Sequence, residues 1–191
     1  LNLCFSELAK ELKKHFGRKA KVEIVIVGGA SVLLNYDFRE STIDVDAMVS
    51  SQNSIKDAVN AVGDRFGLPN GWVNSDFRQT KSYSPNIIRH SKLYRTYNQS
   101  LTVRTVSGEY LVAMKLASLR KYTRDKSDIV GIIREESKTQ PISYDKIDRA
   151  VRDLYGGWEN MDPDAKPLVR SILESSKKED LYQKLLEEEE E

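Results

Sequence analysis

Two aspartates, Asp44 and Asp46, are the residues whose types and spacing point most directly to chemistry. They alternate with apolar residues through residues 42–49, including Ile43, and this period of two predicts a β-strand. Residues two apart on a strand face the same way, so the two carboxylates are expected ~6–7 Å apart on one face. Because two such carboxylates repel each other unless a cation binds between them, the pair predicts a metal site. The alternative is a solvent-facing strand that happens to carry two acids.

A second feature, the pair Gly28 and Gly29, follows a predicted strand over residues 22–27 and precedes a predicted short helix over residues 30–36. Backbone N–H groups at a helix start are unpaired and carry partial positive charge, so they can bind phosphate. Glycine permits phosphate to approach the backbone closely, and Ser31 adds a hydroxyl donor. An ordinary turn without a ligand has the same pattern, and neither the dinucleotide fingerprint nor the P-loop continues from it.

The composition limits the kind of metal and the kind of protein. Cys4, His15 and His90 are the only cysteine and histidines, which argues against a zinc site and favours Mg²⁺ or Mn²⁺ on oxygen ligands. Hydrophobic residues make up 39% and charged residues 31%, with a net charge of +1, as in globular proteins with an apolar core. We find no apolar run of ~18 residues, so we expect no membrane span. The single cysteine cannot form an intrachain disulfide, which fits the reducing cytoplasm, where we expect the protein.

The remaining periodicities indicate an α+β fold, in which a small mixed β-sheet is flanked by helices, expected on one side, and followed by a C-terminal helical region. We expect a core of residues 1–140 and a helical region of residues 141–191. Predicted helices cover residues 6–16, 54–66, 109–120 and 126–136, predicted strands residues 87–97 and 101–106, and three further helices residues 143–155, 163–174 and 177–191.

Two blocks of residues carry a family resemblance. The first block comprises Gly28, Gly29, Ser31, Arg39, Thr42, Asp44 and Asp46. It resembles the signature of the polymerase-β-like nucleotidyltransferase superfamily. The second block comprises Lys115, Arg120, Arg124, Lys126 and Asp128. Together the blocks resemble the AbiEii-like branch, which includes toxins of type IV toxin–antitoxin systems, over roughly residues 20–135.

The resemblance implies a metal-dependent transfer of a nucleoside monophosphate from a nucleoside triphosphate to a hydroxyl of an RNA, such as tRNA, or of a protein. It implies that Asp44 and Asp46 bind Mg²⁺ or Mn²⁺ and that Lys115 neutralises phosphate charge. Asp128 would act as a base or orient Lys115 or Arg124. The residues implied to hold the triphosphate are Gly28, Gly29, Ser31, Arg39, Thr42, Lys115 and Arg124. A cognate antitoxin is the implied protein partner.

The sequence departs from the superfamily pattern at the third carboxylate, which normally lies on a later strand. The strand predicted over residues 101–106 offers Thr102 and Arg104 there. One alternative function is therefore a nucleotide-binding or interaction module without turnover, such as a toxin–antitoxin component. Another is an adaptor that binds a protein through the helices after residue 142.

Several local alternatives stay open. Lys115 can extend to the surface from its apolar helix, or it can have a buried acid or phosphate partner. Arg39 can pair with Asp37 or Glu40. Arg124, Lys126 and Asp128 can be an ordinary charged helix start. The basic and aromatic stretch over residues 78–104 suits RNA, but solvated strands have the same pattern. The acidic residues 187–191 are typical of a frayed, solvated helix end.

Overall fold

The computed structural model describes residues 1–42, 44–51, 54–120 and 123–190, so Ile43 of the predicted aspartate strand lies outside the described residues. The strands are β1 Val22–Ile26, β2 Val45–Ser50, β3 Val73–Asn74, β4 Ser91–Tyr97 and β5 Leu101–Val106. The helices are α1 Asn2–Phe16, α2 Gly28–Asn35, α3 Lys56–Phe66, α4 Gly108–Ser118, α5 Asp125–Glu136, α6 Tyr144–Tyr155, α7 Ala165–Glu174 and α8 Lys178–Glu190. Short 3-10 helices lie at Asp76–Gln79, Pro85–His90 and Trp158–Asn160.

The described strands form one five-stranded mixed sheet in the order β3-β2-β1-β5-β4. The predicted α+β fold, with a small mixed sheet flanked by helices and followed by C-terminal helices, is confirmed. The central strand β1 pairs antiparallel with β2, where Ile26 lies opposite Ala47, and parallel with β5. The carboxyl end of β1 and the amino end of β2 therefore meet at the same edge of the sheet.

Helices cover both faces of the sheet, so the expectation of helices on one side is wrong. Ile24 and Ile26 pack into an apolar layer with α1 and α3, whereas Val25 and Val27 pack into a second layer formed with helices α4 to α8. A strand buried on both faces tends to be rich in β-branched residues, as residues 22–27 are apart from Glu23. Residues on both sides of position 140 contribute to the second layer; the domain boundary there stays a prediction.

Several predicted elements begin at different residues in the structure. Helix α1 begins at Asn2, four residues before the predicted start at residue 6. The strand expected over residues 87–97 begins only at Ser91. A 3-10 helix precedes it, because Pro85 follows Ser84, whose side chain accepts a hydrogen bond from the Asn86 N–H. The aspartate strand begins at Val45, so Asp44 comes just before it. No helix among the described residues is long and apolar enough to cross a membrane.

We expect Ile26→Ala to lower the free energy of unfolding by about 2–5 kcal/mol, because it removes a large side chain from the buried centre of the sheet. Urea denaturation measures this change. The matched control is Leu3→Ala, since Leu3 is 63% exposed, and its effect is expected within about 0.5 kcal/mol. Equal effects of the two substitutions would contradict the placement of β1 at the centre.

Candidate functional site

A cleft of about 660 Å³ opens at the edge of the sheet where β1 ends and β2 begins. It is lined by residues from the turn after β1, the start of β2, the segment after β3, and helices α4, α5 and α8. The residues predicted from the sequence that line it are Gly29, Arg39, Thr42, Asp44, Asp46, Lys115 and Arg124. The fold therefore brings most of the two sequence blocks into one cleft.

The glycine pair forms the bend between β1 and α2. Gly28 has a φ of 59°, a left-handed backbone conformation that residues with a side chain rarely adopt. A Cβ added at Gly28 would lie 3.5 Å from Asp46 Oδ2. At Gly29 an added Cβ would lie only 2.7 Å from Arg39 Nη2 and 3.2 Å from Thr42 Oγ1. The lack of side chains at these two positions thus lets an acid and a guanidinium approach the backbone closely.

The two hydroxyls predicted to contact the triphosphate have different surroundings. Ser31 is fully buried, and its Oγ accepts a hydrogen bond from the Val106 N–H at 3.2 Å. This contact joins α2 to β5, so the prediction that Ser31 faces the ligand does not agree with the structure. Ser31 lies on the face of α2 that packs against the sheet, so its side chain points toward β5. Thr42 does line the cleft, and its Oγ1 donates to the Asp44 carbonyl oxygen at 3.0 Å.

Three aspartates line one wall of the cleft: Asp44, Asp46 and Asp76. Asp44 is exposed, and Asn74 Nδ2 donates to its Oδ2 at 3.3 Å. Burial raises the pKa of Asp46 above its usual value, and the charges of Asp44 and Asp76 raise it further. The Phe77 N–H and the positive charge of Arg120 act in the opposite direction but do not outweigh them. The wall therefore carries excess negative charge.

In the part of the chain that the structure describes, the acidic wall offers two carboxylates to a hard cation, and not a complete set of protein ligands. Among the described residues, no three His, Cys, Asp or Glu side chains are close enough to hold a metal ion together. Mg²⁺, however, is commonly bound by one or two carboxylates, with water and substrate phosphates completing its shell. Asp44 and Asp46 supply two such carboxylates in the cleft that Gly29 also lines.

The sequence did not predict a role for Asp76, because the third carboxylate was expected on the strand over residues 101–106, which is β5. Arg104 of that strand binds Ser91 through its Nε at 2.8 Å, and β5 lies on the other side of β1 from β2. Asp76 instead follows the two-residue strand β3, whose Asn74 pairs with Asp46. So short a strand has no recognisable period, and its sequence carried no usable signal.

The opposite wall contains a buried ion cluster. The side chain of Lys115 is 8% exposed, and its Nζ lies 2.8 Å from Asp125 Oδ1 and 2.7 Å from Asp128 Oδ2. Arg39 Nη1 donates to the same Asp128 oxygen. Lys115 therefore does not extend to the surface, and Arg39 pairs with Asp128 rather than with its sequence neighbours. Of the roles suggested for Asp128, these contacts fit the orientation of Lys115.

Asp125 is the second residue that sequence reasoning missed. It is fully buried and accepts hydrogen bonds from Lys115 Nζ, from Ser118 Oγ at 2.9 Å and from the Arg120 backbone N–H at 3.1 Å. Burial acts to raise its pKa, but the positive charge and hydrogen bond of Lys115, aided by Arg120, lower the pKa to about 2. Its spacing of three from Asp128 on α5 places both acids toward α4 and was the available signal.

The C-terminal helix also reaches the cleft. The carboxylate of Glu189 accepts hydrogen bonds from the backbone N–H groups of Lys126 at 2.8 Å and Ser127 at 3.3 Å, at the start of α5. Burial is the main cause that raises the pKa of Glu189 above its usual value. The prediction of a frayed, solvated end is therefore wrong at Glu189, because α8 packs along α5 and the carboxylate satisfies unpaired helix N–H groups.

With this geometry established, comparison with known proteins identifies the class. The chain belongs to a family of nucleotidyltransferases. The family model that matches residues 4–174 is described as "Nucleotidyltransferase of unknown function (DUF6036)". No curated protein matches the chain. No solved structure matches it either. The predicted membership of a nucleotidyltransferase superfamily is confirmed at this level, and the AbiEii-like branch stays a prediction.

We expect Asp46→Asn to stabilise the metal-free protein at neutral pH. A carboxyl whose pKa is raised in the folded state destabilises the fold when ionised, and protonation or a bound cation relieves this. Thermal denaturation in EDTA should therefore give a higher melting temperature for the variant than for the natural protein. Mn²⁺ should stabilise the natural protein and leave the variant unchanged.

The control for this substitution is Asp64→Asn, which removes an exposed acid on α3. It should change neither the melting temperature in EDTA nor the stabilisation by Mn²⁺. A lower melting temperature of metal-free Asp46→Asn, or equal stabilisation of both proteins by Mn²⁺, would rule out an uncompensated cation site.

We expect the stability contributed by Asp125 to depend on pH in acid. Because its folded pKa of about 2 lies below the ordinary 3.8, the ionised group stabilises the fold above pH 3.8, and this stabilisation is lost as the pH falls toward 2. Asp125→Asn should lower the free energy of unfolding at pH 7 by about 3 kcal/mol, since a buried ion pair loses one partner. Urea denaturation from pH 7 to pH 2 should show that the two proteins become more similar in their free energy of unfolding. A difference that stays constant with pH would contradict the lowered pKa of Asp125.

Proposed function

We propose that this protein binds a nucleoside triphosphate with Mg²⁺ or Mn²⁺ and transfers its nucleotidyl group to an acceptor hydroxyl. The observation that carries the proposal is the juxtaposition of the glycine bend with the like-charged pair Asp44 and Asp46 in one cleft. The bend begins α2, so it offers backbone N–H groups to a phosphate, with the Arg39 guanidinium close to Gly29. The carboxylates offer oxygen ligands to the metal ion. Membership of a nucleotidyltransferase family supports the same reaction class.

In the proposed triphosphate site, Lys115 and Arg39 have different roles. Lys115 is neutralised by Asp125 and Asp128, so we assign it a positioning role in addition to its weaker effect on phosphate charge. Arg39 uses its Nε for the Ser41 carbonyl and Nη1 for Asp128, while Nη2 faces Gly29. Arg39 Nη2 is therefore the proposed donor to a phosphate oxygen at the bend, with Thr42 and Arg124 nearby.

The proposed reaction is an in-line displacement at the α-phosphorus. The acceptor oxygen forms a new bond to phosphorus as the bond to the bridging oxygen breaks, and pyrophosphate leaves with that electron pair. When bound at Asp44 and Asp46, a divalent ion supplies charge stabilisation to the phosphate oxygens. We assign to Asp76 the role of the base that takes the proton of the acceptor hydroxyl. Asp128 is held by two cations, whereas Asp76 lines the acidic wall.

Transfer of labelled nucleotide tests this function. The natural protein, given each α-labelled nucleoside triphosphate, Mg²⁺ and total RNA or a candidate protein, should label an acceptor. Asp44→Ala and Asp46→Ala should reduce the rate at least ~100-fold, as expected when groups that position and stabilise the transition state are lost. Asp64→Asn should retain full activity. Absence of transfer with all four nucleotides would refute the enzymatic proposal.

A second candidate is a nucleotide-binding module without turnover, which the absence of a three-acid metal group among the described residues favours. Metal-dependent triphosphate binding, measured by calorimetry, is then expected without label transfer under any of the conditions above. Efficient transfer that Asp44→Ala abolishes would eliminate this candidate, and Asp76→Asn would show whether the acid after β3 contributes.

We further propose the biological setting that the sequence resemblance implies, an AbiEii-like toxin acting on RNA, tRNA among them, or on a protein, with a cognate antitoxin. Expression of the natural protein should then arrest growth, and Asp46→Ala should not. Co-expression of the product of the adjacent gene should restore growth. Equal growth with both proteins would count against a toxin while leaving nucleotidyl transfer open.

A further inference from the structure

Three exposed cations lie in the segment that joins α1 to β1: Arg18, Lys19 and Lys21. We call them the basic segment. Lys21 directly precedes β1, whereas the glycine bend follows it, so the basic segment and the cleft lie at opposite ends of the strand. At ~3.3 Å per residue, the strand and its flanking residues separate them by ~20 Å. The basic segment therefore does not belong to the triphosphate site.

Two hollows flank the basic segment, with volumes of about 550 Å³ and 640 Å³. Lys19 and Lys21 line both of them, and Arg18 lines the second. No aspartate or glutamate is among the described residues that line either hollow. The other polar lining groups are hydroxyls and an amide, from Ser50, Thr96, Gln99 and Thr102 among others. These hollows offer cations and neutral hydrogen-bonding groups without competing acids.

Over the residues that the structure describes, the cations of the basic segment have no acidic partners, in contrast to the paired lysines of neighbouring α1. Lys10 and Lys14 of neighbouring α1 pair with Glu7 and Glu11, and Lys138 pairs with Glu135. Within the described residues, none of the three cations of the basic segment has an acidic oxygen within 4.0 Å. Glu23, the nearest acid along the chain, lines neither hollow. The whole chain carries a net charge of only +1, so this positive charge is a local concentration.

We propose that the basic segment and its two hollows bind the phosphate backbone of an RNA whose acceptor hydroxyl reaches the cleft. The proposal rests on the proposed function, because it supplies that function with its acceptor class. Adjacent cations without acids are complementary to regularly spaced phosphates, and the surrounding hydroxyl and amide groups suit sugar 2′-hydroxyls and phosphate oxygens. Phe16, at the wall of the first hollow, offers an aromatic ring for an unpaired base.

The separation of the two sites makes the length of the acceptor matter. The direct line of ~20 Å runs along the buried strand β1, so RNA must pass around the sheet. At ~3.4 Å of axial rise per nucleotide in one strand, an RNA that reaches both sites needs more than about six nucleotides. An RNA shorter than this reaches only the cleft, whereas a longer RNA also contacts the basic segment. We therefore expect RNA of about 20 nucleotides to bind at least 10-fold more tightly than RNA of 4 nucleotides, with the difference confined to low and moderate salt.

The test compares two triple variants of the full chain by fluorescence anisotropy with a labelled 20-nucleotide RNA from 50 to 200 mM salt. The first, Arg18→Gln, Lys19→Gln and Lys21→Gln, should bind at least 10-fold more weakly at 50 mM salt. Its slope of log affinity against log salt should be smaller by about 2, since each lost phosphate contact removes ~0.7. The control, Lys146→Gln, Arg149→Gln and Lys177→Gln, removes two exposed cations of α6 and one just before α8, and it should bind as the natural protein does.

The remaining outcomes separate this inference from the proposed function. Stabilisation by triphosphate and Mn²⁺ should be the same in all three proteins, because neither triple variant touches the cleft. Equal weakening by both triple variants, or equal affinity for RNA and for DNA of the same sequence, would overturn the RNA surface even where triphosphate binding persists. Loss of triphosphate binding in the natural protein would instead overturn the proposed function, whatever the RNA affinity.

Discussion

The antiparallel pairing of β1 with β2 is the contact on which the rest of the candidate site depends. Just beyond the paired residues Ile26 and Ala47, the Val27 N–H donates to the Asp46 carbonyl oxygen at 2.9 Å. This register places the glycine bend at the end of one strand beside the acids at the start of the other. A shift by one residue would turn the Asp46 side chain to the opposite face. Apolar layers on both faces of the sheet fix the register, because Ile26 and Val27 must bury on opposite sides.

The two walls of the cleft differ in how their charges are balanced. On one wall the raised pKa of Asp46 reflects burial and neighbouring acids without sufficient positive charge. On the other wall Lys115 and Arg39 are matched by Asp125 and Asp128, so that a lysine is tolerated in an otherwise apolar helix. The first wall therefore carries unbalanced negative charge, whereas the ion pairs of the second wall hold its side chains in fixed positions.

The sequence predicted some features of the fold and the site correctly and others not, and particular residues show why. The strand over residues 101–106 was predicted with its observed bounds, because its alternation and its flanking turn are local. The hydroxyl of Ser31 was assigned to the ligand, but the rotation of α2 against the sheet turns it toward Val106. Asp76 and Asp125 were overlooked, since their importance comes from neighbours outside their own segments: Asp46 for the first and Lys115 for the second.

The sequence by itself determined the strand that ends in a glycine bend, the aspartate pair and the lysine within an apolar helix. These features depend on strand and helix periods and on the conformational freedom of glycine, which are properties of residues adjacent along the chain. Only the tertiary structure decided which distant groups meet, as Arg39 meets Asp128 across 89 positions and Glu189 meets Lys126 across 63. No local period specifies such pairs, because they arise from how helices and strands pack around a shared apolar core.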